Sequence, residues 1–274
     1  VSYIKWDMNR SITECYSLAL APERQGEVFH RYILGLYSLY ERLIQNFPQI
    51  LFESCASGGA RFDAGMLYYA PQCWTSDDSD AAERIKIQYG TSFGYPVVSM
   101  GAHVSAVPNH QLNRITPLST RGNVAFFGAF GYELDLQKLT SEEREMVREQ
   151  IRFMKRYRSV IQFGTFYRLQ SPFEHNISAW MAVSEDQRTA VVGYYKILND
   201  VNCEYRRLRL KGLDPEKVYH VDQLGSCHGG DELMNLGLIA TDASAGQPSS
   251  GQPEEGFEIC TDFWSKIYVL TANN

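Results

Sequence analysis

The chain has 274 residues, of which 44% are hydrophobic and 21% charged, and its formal net charge is −6. This is enough apolar material for one large domain or two ordinary ones, and the lack of any basic block argues against a nucleic-acid partner. No apolar run reaches membrane-spanning length, and the six cysteines form no CxxC pair or regular spacing, so free thiols and a cytoplasmic setting are expected.

In chain order, residues 2–7 read as a short strand. A helix is predicted over residues 27–47, where Ile33, Leu36, Tyr37, Tyr40, Leu43, Ile44 and Phe47 follow helical spacing and Pro48 closes the run. A buried-type strand at 50–53 leads into a glycine-containing loop at 55–63. Next come a strand at 71–74 and a helix at 79–89 with Asp80 in its first turn, where a carboxylate complements the helix dipole. Strand-like runs recur at 96–100 and 123–127, and Thr140 with Glu143 forms a capping box that opens a helix to about residue 160.

Beyond Pro172 the pattern changes to short, partly alternating runs at 178–183, 189–197, 204–210, 217–222, 257–261 and 266–271. These predict an antiparallel β-sandwich, interrupted by a Gly/Ser/Pro-rich loop at 243–256 that is expected to be mobile. The first part alternates strands with amphipathic helices, the signature of βα units on a parallel sheet. The fold class is therefore α/β, with a partial (β/α)8 barrel at residues 1–170 and a small antiparallel sandwich at 171–274. Five strands do not close an eight-stranded barrel. A barrel of this kind keeps its chemistry at the C-terminal ends of its strands, where the polar residues of this chain gather.

Two segments carry the chemistry. In residues 3–10 (YIKWDMNR), Lys5 and Asp7 leave one face of a strand and Trp6 the other. A neighbouring ammonium favours an ionised Asp7, suited to a nucleophile, although a salt-bridged strand end explains the same pair. Asn9 and Arg10 follow, able to bond sugar hydroxyls or to pair within the chain. In residues 73–80 (CWTSDDSD), Asp77, Asp78 and Asp80 crowd together beside Trp74. Like charges and an adjoining indole raise a carboxyl pKa, as a general acid requires. Helix capping accounts for Asp78 and Asp80 but no better than catalysis for Asp77. A calcium loop fails on spacing, because Ala82 and Glu83 stand where a ligand and a glycine belong, and no His/Cys cluster supports zinc. The CASGGARFD loop is neither a Walker loop nor a dinucleotide fingerprint, but Gly58 and Gly59 permit close backbone approach. His103 and His110 read as structural residues. The 17 Tyr, 14 Phe and 4 Trp suit both sugar stacking and an ordinary core.

Taken together, residues 3–10, 53–63 (ESCASGGARFD), 66–80 (MLYYAPQCWTSDDSD), 84–90 (RIKIQYG) and 99–111 (SMGAHVSAVPNHQ) resemble the family 36 glycoside hydrolases, the microbial α-galactosidases. The resemblance continues into the sandwich. It implies that Asp7 is the catalytic nucleophile and Asp77 the acid/base, that Lys5 and Asn9 contact galactose, and that Cys55, Gly58, Gly59 and Trp74 line the sugar pocket. Ala60 stands where many relatives have glycine, which puts the path of the loop in question. The resemblance also implies strands four to eight of the barrel, so the chain is expected to be a fragment. It implies a retaining exo-α-galactosidase acting on raffinose- or melibiose-type oligosaccharides, with no metal or organic cofactor and with homo-oligomers such as tetramers among relatives. A galactosyl transferase of the raffinose-synthase type and an inactive carbohydrate-binding remnant are the alternatives.

Overall fold

The computed structural model describes residues 1–10, 12–199, 206–240 and 262–272. The predicted strand at 257–261 and the loop at 243–256 lie outside the described residues, as does the start of the predicted strand at 204–210. The chain forms two compact units, one of Val1–Asp77 with Ser99–Gly101 and one of Asp78–Val98 with Ala102–Asn274.

In the first unit, β1 (Tyr3–Asp7), α1 (Val28–Asn46), β2 (Leu51–Cys55), α2 (Ala64–Tyr69) and β3 (Gln72–Cys73) follow one another. The three strands form one parallel sheet in that order, with Tyr3 opposite Leu51, Asp7 opposite Cys55 and Ser54 opposite Cys73. Along β1, Ile4 and Trp6 are partly buried while Tyr3, Lys5 and Asp7 are exposed, as an alternating strand dictates. Trp6 packs its indole 4.9 Å from the Tyr40 ring of α1 and joins the core of Leu36, Tyr40, Phe52, Met66 and Ala70. The tryptophan of the KWD segment is thus a core residue that anchors the strand bearing Asp7. Helix α2 is capped by Asp63, which accepts from Met66 N–H at 2.8 Å and from the Tyr37 hydroxyl at 2.5 Å.

The second unit opens with α3 (Ala81–Thr91), then β4 (Gly101–Ser105), α4 (Leu118–Ala125), β5 (Ala129–Glu133) and α5 (Ser141–Phe163). Two sequence expectations fail here. The run at 123–127 is no strand: it spans the end of α4 and the residues just after it. Val124, Ala125, Phe126 and Phe127 are all buried, and a short apolar run buried on every side has no period to tell helix from strand. The run at 96–100 is a 3-10 turn at Val97–Ser99, with the strand beginning only at Gly101. The predicted capping box does form: Thr140 Oγ1 accepts from Glu143 N–H at 3.2 Å, and Glu143 Oε2 accepts from Thr140 N–H at 2.9 Å, an arrangement that contributes about 1 kcal/mol.

The remaining strands are β6 (Thr165–Gln170), β7 (Ile177–Val183), β8 (Thr189–Lys196), β9 (Arg206–Leu208), β10 (Val218–Val221), β11 (Ser226–Gly229), β12 (Leu238–Ala240) and β13 (Trp264–Ala272), with α6 (Gly230–Asn235) after β11. Six of them make one antiparallel sheet in the order β11-β10-β13-β8-β7-β6, and β9 with β12 makes a second. One face of the large sheet shares a core with Leu208, Leu238 and Ala240 of the small one. The other presents Trp180, Ala182, Val191, Tyr195, Ile267 and Val269 to Ile85, Tyr89, Met154, Tyr157 and Ile161 of α3 and α5. Burial on both faces explains why β7 and β8 alternate so weakly in sequence.

Candidate active site

Because β1, β2 and β3 are parallel, their C-terminal ends lie on one side of the sheet, and Asp7, Cys55 and the segment after Cys73 emerge there. Asn9 Nδ2 donates to Asp7 Oδ2 at 2.7 Å. The slight desolvation of the exposed Asp7 would by itself raise its carboxyl. Hydrogen bonds from the Cys55 thiol, the Asn9 amide and the Met8 N–H, with the Lys5 ammonium nearby, outweigh that and hold it below the usual aspartate range. Burial pushes the Cys55 thiol up to about 11; the Gly58 N–H opposes the rise and the Asp7 carboxylate adds to it. Cys55 therefore stays a protonated donor, unsuited to being a nucleophile itself.

This arrangement sets a pH expectation. If Asp7 works as the carboxylate, the acid limb of kcat/KM follows its ionisation in the free enzyme. Cys55→Ala deletes a bond that lowers that pKa, so the limb moves to higher pH. An unmoved limb in a folded, active variant would show that the thiol does nothing for Asp7.

The loop after β2 is tied to β1 at several points. Ser57 donates to Asn9 Oδ1 through its N–H at 3.0 Å and its hydroxyl at 3.2 Å. Arg61 is buried and its guanidinium donates to the carbonyls of Cys55 at 2.8 Å and Trp6 at 3.3 Å. Ser57 and Arg61 were not among the sequence candidates. A charged residue six positions beyond Cys55 in a glycine-rich loop was a signal for Arg61; Ser57 offered none. A cavity of about 410 Å³ adjoins this loop, lined among others by Met8, Phe29, Tyr32, Ala60 and Arg61. Ala60 is exposed and borders that space.

The second segment divides by role. Asp80 caps α3, accepting from Ala82 and Glu83 N–H at 3.0 and 3.1 Å, and pairs with Arg114. Asp78 Oδ1 accepts from Asp80 N–H at 3.0 Å. Asp77 is exposed, its backbone N–H and Ser76 lie against Gly58, and Thr75 O lies against Gly59. Trp74 is buried, with the Lys5 ammonium 5.2 Å from its ring centroid. Its indole rests on Gly101, where an added Cβ would stand 2.9 Å from Trp74 Cε3. Trp74 is thus wedged in place, a wall beside Lys5. The structure therefore brings Lys5, Asp7, Asn9, Cys55 and Gly58 together and sets Gly58 against the Ser76–Asp77 backbone and Gly59 against Thr75 O. Arg10 pairs instead with Glu14 at 3.2 Å, and His103 Nδ1 lies 3.4 Å from Glu133. Among the described residues, no three His, Cys, Asp or Glu side chains gather so as to hold a metal ion, and no helix is long and apolar enough to cross a membrane.

The melibiase family model matches residues 1–164, and that of the glycosyl hydrolase family 36 C-terminal domain matches residues 177–270. The chain belongs to glycoside hydrolase family 36. It is 57% identical to alpha-galactosidase AgaA of Geobacillus stearothermophilus over 238 residues, which is 87% of this chain and 32% of that protein. It is 51% identical to alpha-galactosidase 1 of Pediococcus pentosaceus over the same shares. The crystal structure of the Geobacillus AgaA enzyme matches the whole chain with a TM-score of 0.89 at 52% identity, and the chain covers 36% of it. That of the Lactobacillus brevis alpha-galactosidase gives 0.90 at 51% identity, again with 36% covered. The family 36 chain described here thus spans about a third of the length of the curated relatives it matches. Its fold class is that of these relatives, part of a (β/α)8 barrel followed by a small antiparallel sandwich.

Proposed function

We propose that the chain carries the reacting pair of a retaining exo-α-galactosidase, with Asp7 as nucleophile and Asp77 as acid/base. The observation that carries this reading is the environment of Asp7: a carboxylate at the end of a parallel strand, held ionised by Cys55, Asn9 and Lys5. Solved relatives support the pairing. In a raffinose complex of the Geobacillus enzyme the aspartate at its own position 548 is replaced by asparagine, and in a stachyose complex the aspartate at its position 478 by alanine. Those positions lie 70 apart (548 − 478), as do Asp7 and Asp77 (77 − 7). The substrate class is accordingly terminal α-galactosides of raffinose type. In the proposed division of labour the catalytic barrel comes first and the sandwich second. Because β6 (Thr165–Gln170) pairs with β7 in the antiparallel sheet, the boundary falls near residue 164 rather than at 170, where the melibiase family model also ends at 164.

The chemistry proceeds by two displacements. An Asp7 oxygen attacks the anomeric carbon as the glycosidic C–O bond breaks and Asp77 gives its proton to the departing oxygen. Water then attacks the same carbon, Asp77 takes its proton, and the bond to Asp7 breaks to release galactose. Lys5 and Asn9, exposed beside Asp7, meet the sugar hydroxyls, while the protonated Cys55 and the wedged Trp74 bound the pocket.

Proton NMR of the galactose first released from raffinose tests the reading. Retention gives the α anomer, and a crystal structure with bound galactose has the two carboxyl groups about 5–5.5 Å apart. A β product, or a gap of about 9 Å, would overturn double displacement.

A further inference from the structure

The turn at residues 57–59 meets the supports of both aspartates. On one side Ser57 donates to Asn9 Oδ1 at 3.0 and 3.2 Å, and Asn9 Nδ2 donates to Asp7 Oδ2 at 2.7 Å. On the other the two glycines lie against the backbone that carries Asp77. A Cβ added to Gly58 would stand 2.6 Å from Ser76 Cα and 3.0 Å from Asp77 N, and one on Gly59 would stand 2.8 Å from Thr75 O. The atoms they would meet are backbone, which cannot swing aside as the end of a side chain does.

The turn is also stiff. Ser57 and Gly58 have φ of 48° and 79°, the left-handed region that a β-carbon makes costly. Ala56 N–H donates to Gly58 O at 2.9 Å and so closes the turn on itself, while Arg61 ties the preceding carbonyl of Cys55 at 2.8 Å. A rigid turn held to Asn9 on one side and in backbone contact with residues 75–77 on the other acts as a spacer.

We infer that this turn sets the separation of Asp7 and Asp77, with Gly58 and Gly59 as positioning residues that act by giving room to residues 75–77. The inference rests on the roles proposed for Asp7 and Asp77. It gives the glycines a different task from lining the sugar pocket. The separation matters because the retaining gap is about 5–5.5 Å, whereas a gap of roughly 6.5–9.5 Å admits a water and belongs to inversion. Ser57, by holding Asn9, fixes the other end of the same spacer.

Gly58→Ala and Gly59→Ala in the natural protein test this, by crystallography and by kinetics. Gly59 has no positive φ to forfeit, so its variant keeps the test open if Gly58→Ala fails to fold. The expected structures have residues 75–77 displaced from the turn, with Asp7 and Asn9 in place. A misplacement of this size is expected to lower kcat for raffinose by about 10²-fold with KM little changed. The loss in kcat/KM should be much smaller for 2,4-dinitrophenyl α-galactoside, whose leaving group needs no proton in the first displacement, although its galactosyl-enzyme then accumulates for want of a base. Added azide should restore turnover, attacking the anomeric carbon as Asp7 leaves and releasing α-galactosyl azide. Residues 75–77 standing unmoved in both variants would overturn the spacer. So would equal losses on both substrates with a raised KM, the mark of a lost sugar contact. Asp77→Ala run alongside separates the two levels of argument: if it lacks the leaving-group dependence the role of Asp77 fails, whereas the crystallographic displacement judges the spacer independently.

Discussion

Replacing Asp7 by glycine is expected to lower kcat for raffinose in the natural protein by on the order of 10⁴–10⁶-fold, the range for loss of a covalent nucleophile. The structure gives a reason beyond the family pattern. The Asp7 carboxylate receives hydrogen bonds from the Cys55 thiol, the Asn9 amide and the Met8 N–H, with Lys5 adjacent, so it is ready to attack without first losing a proton. Glycine also clears the volume of the lost carboxyl. Azide should enter that space and attack the anomeric carbon directly while Asp77 still protonates the leaving oxygen. The product is then β-galactosyl azide, inverted because a single displacement replaces two. Activity near the unsubstituted level, or an α azide, would remove Asp7 from the role.

The second large effect is expected at Asp77. Asp77→Ala should reduce turnover of raffinose by about 10²–10⁴-fold, the usual range for general acid–base catalysis. An aryl galactoside with a good leaving group should suffer far less in the first displacement and then stall as the galactosyl-enzyme, because nothing deprotonates water. Azide needs no such help and should release α-galactosyl azide, the opposite anomer from the Asp7 variant. The neighbouring carboxylates provide the control. Asp80 caps α3 and pairs with Arg114, and Asp78 bonds the Asp80 N–H, so their loss should disturb the helix start and leave the leaving-group dependence unchanged. If Asp78→Ala rather than Asp77→Ala gave the α azide, the acid/base would be misassigned.

Much of the barrel portion was legible in the chain. The helix at α1 and the capping box of α5 have a periodic or capping signal that local chemistry enforces, β1 alternates, and β2 shows as a short apolar run before a glycine-containing loop. The run at 123–127 reads as a strand because burial on all sides erases periodicity. The run at 96–100 stops just short of β4, since a strand's limits are what local pattern specifies least. Strands β5, β6, β11 and β12 have no counterpart among the predicted runs, because such segments are recruited by their neighbours more than by their own composition. Within the site, the candidates were found because each is a chemically distinctive residue in a distinctive segment. Ser57 was invisible, since its importance lies in two hydrogen bonds to Asn9, 48 positions earlier.

The chain order of residues alone specified the reacting types: a KWD strand end, a glycine pair after a strand, a cluster of aspartates before a helix. Those are local facts, because nucleophiles, acids and flexible turns are defined by side-chain chemistry and by φ preferences. Only the tertiary structure decided where each stands and what it touches. It packed Trp6 against Tyr40 and buried Trp74, assigned Asp80 and Asp78 to the helix start while leaving Asp77 exposed, and set Gly58 against the Ser76–Asp77 backbone and Gly59 against Thr75 O. The physical reason is that separation, burial and backbone contact arise between segments about 20 to 70 residues apart, and parallel β pairing brings these together with no trace in either segment alone.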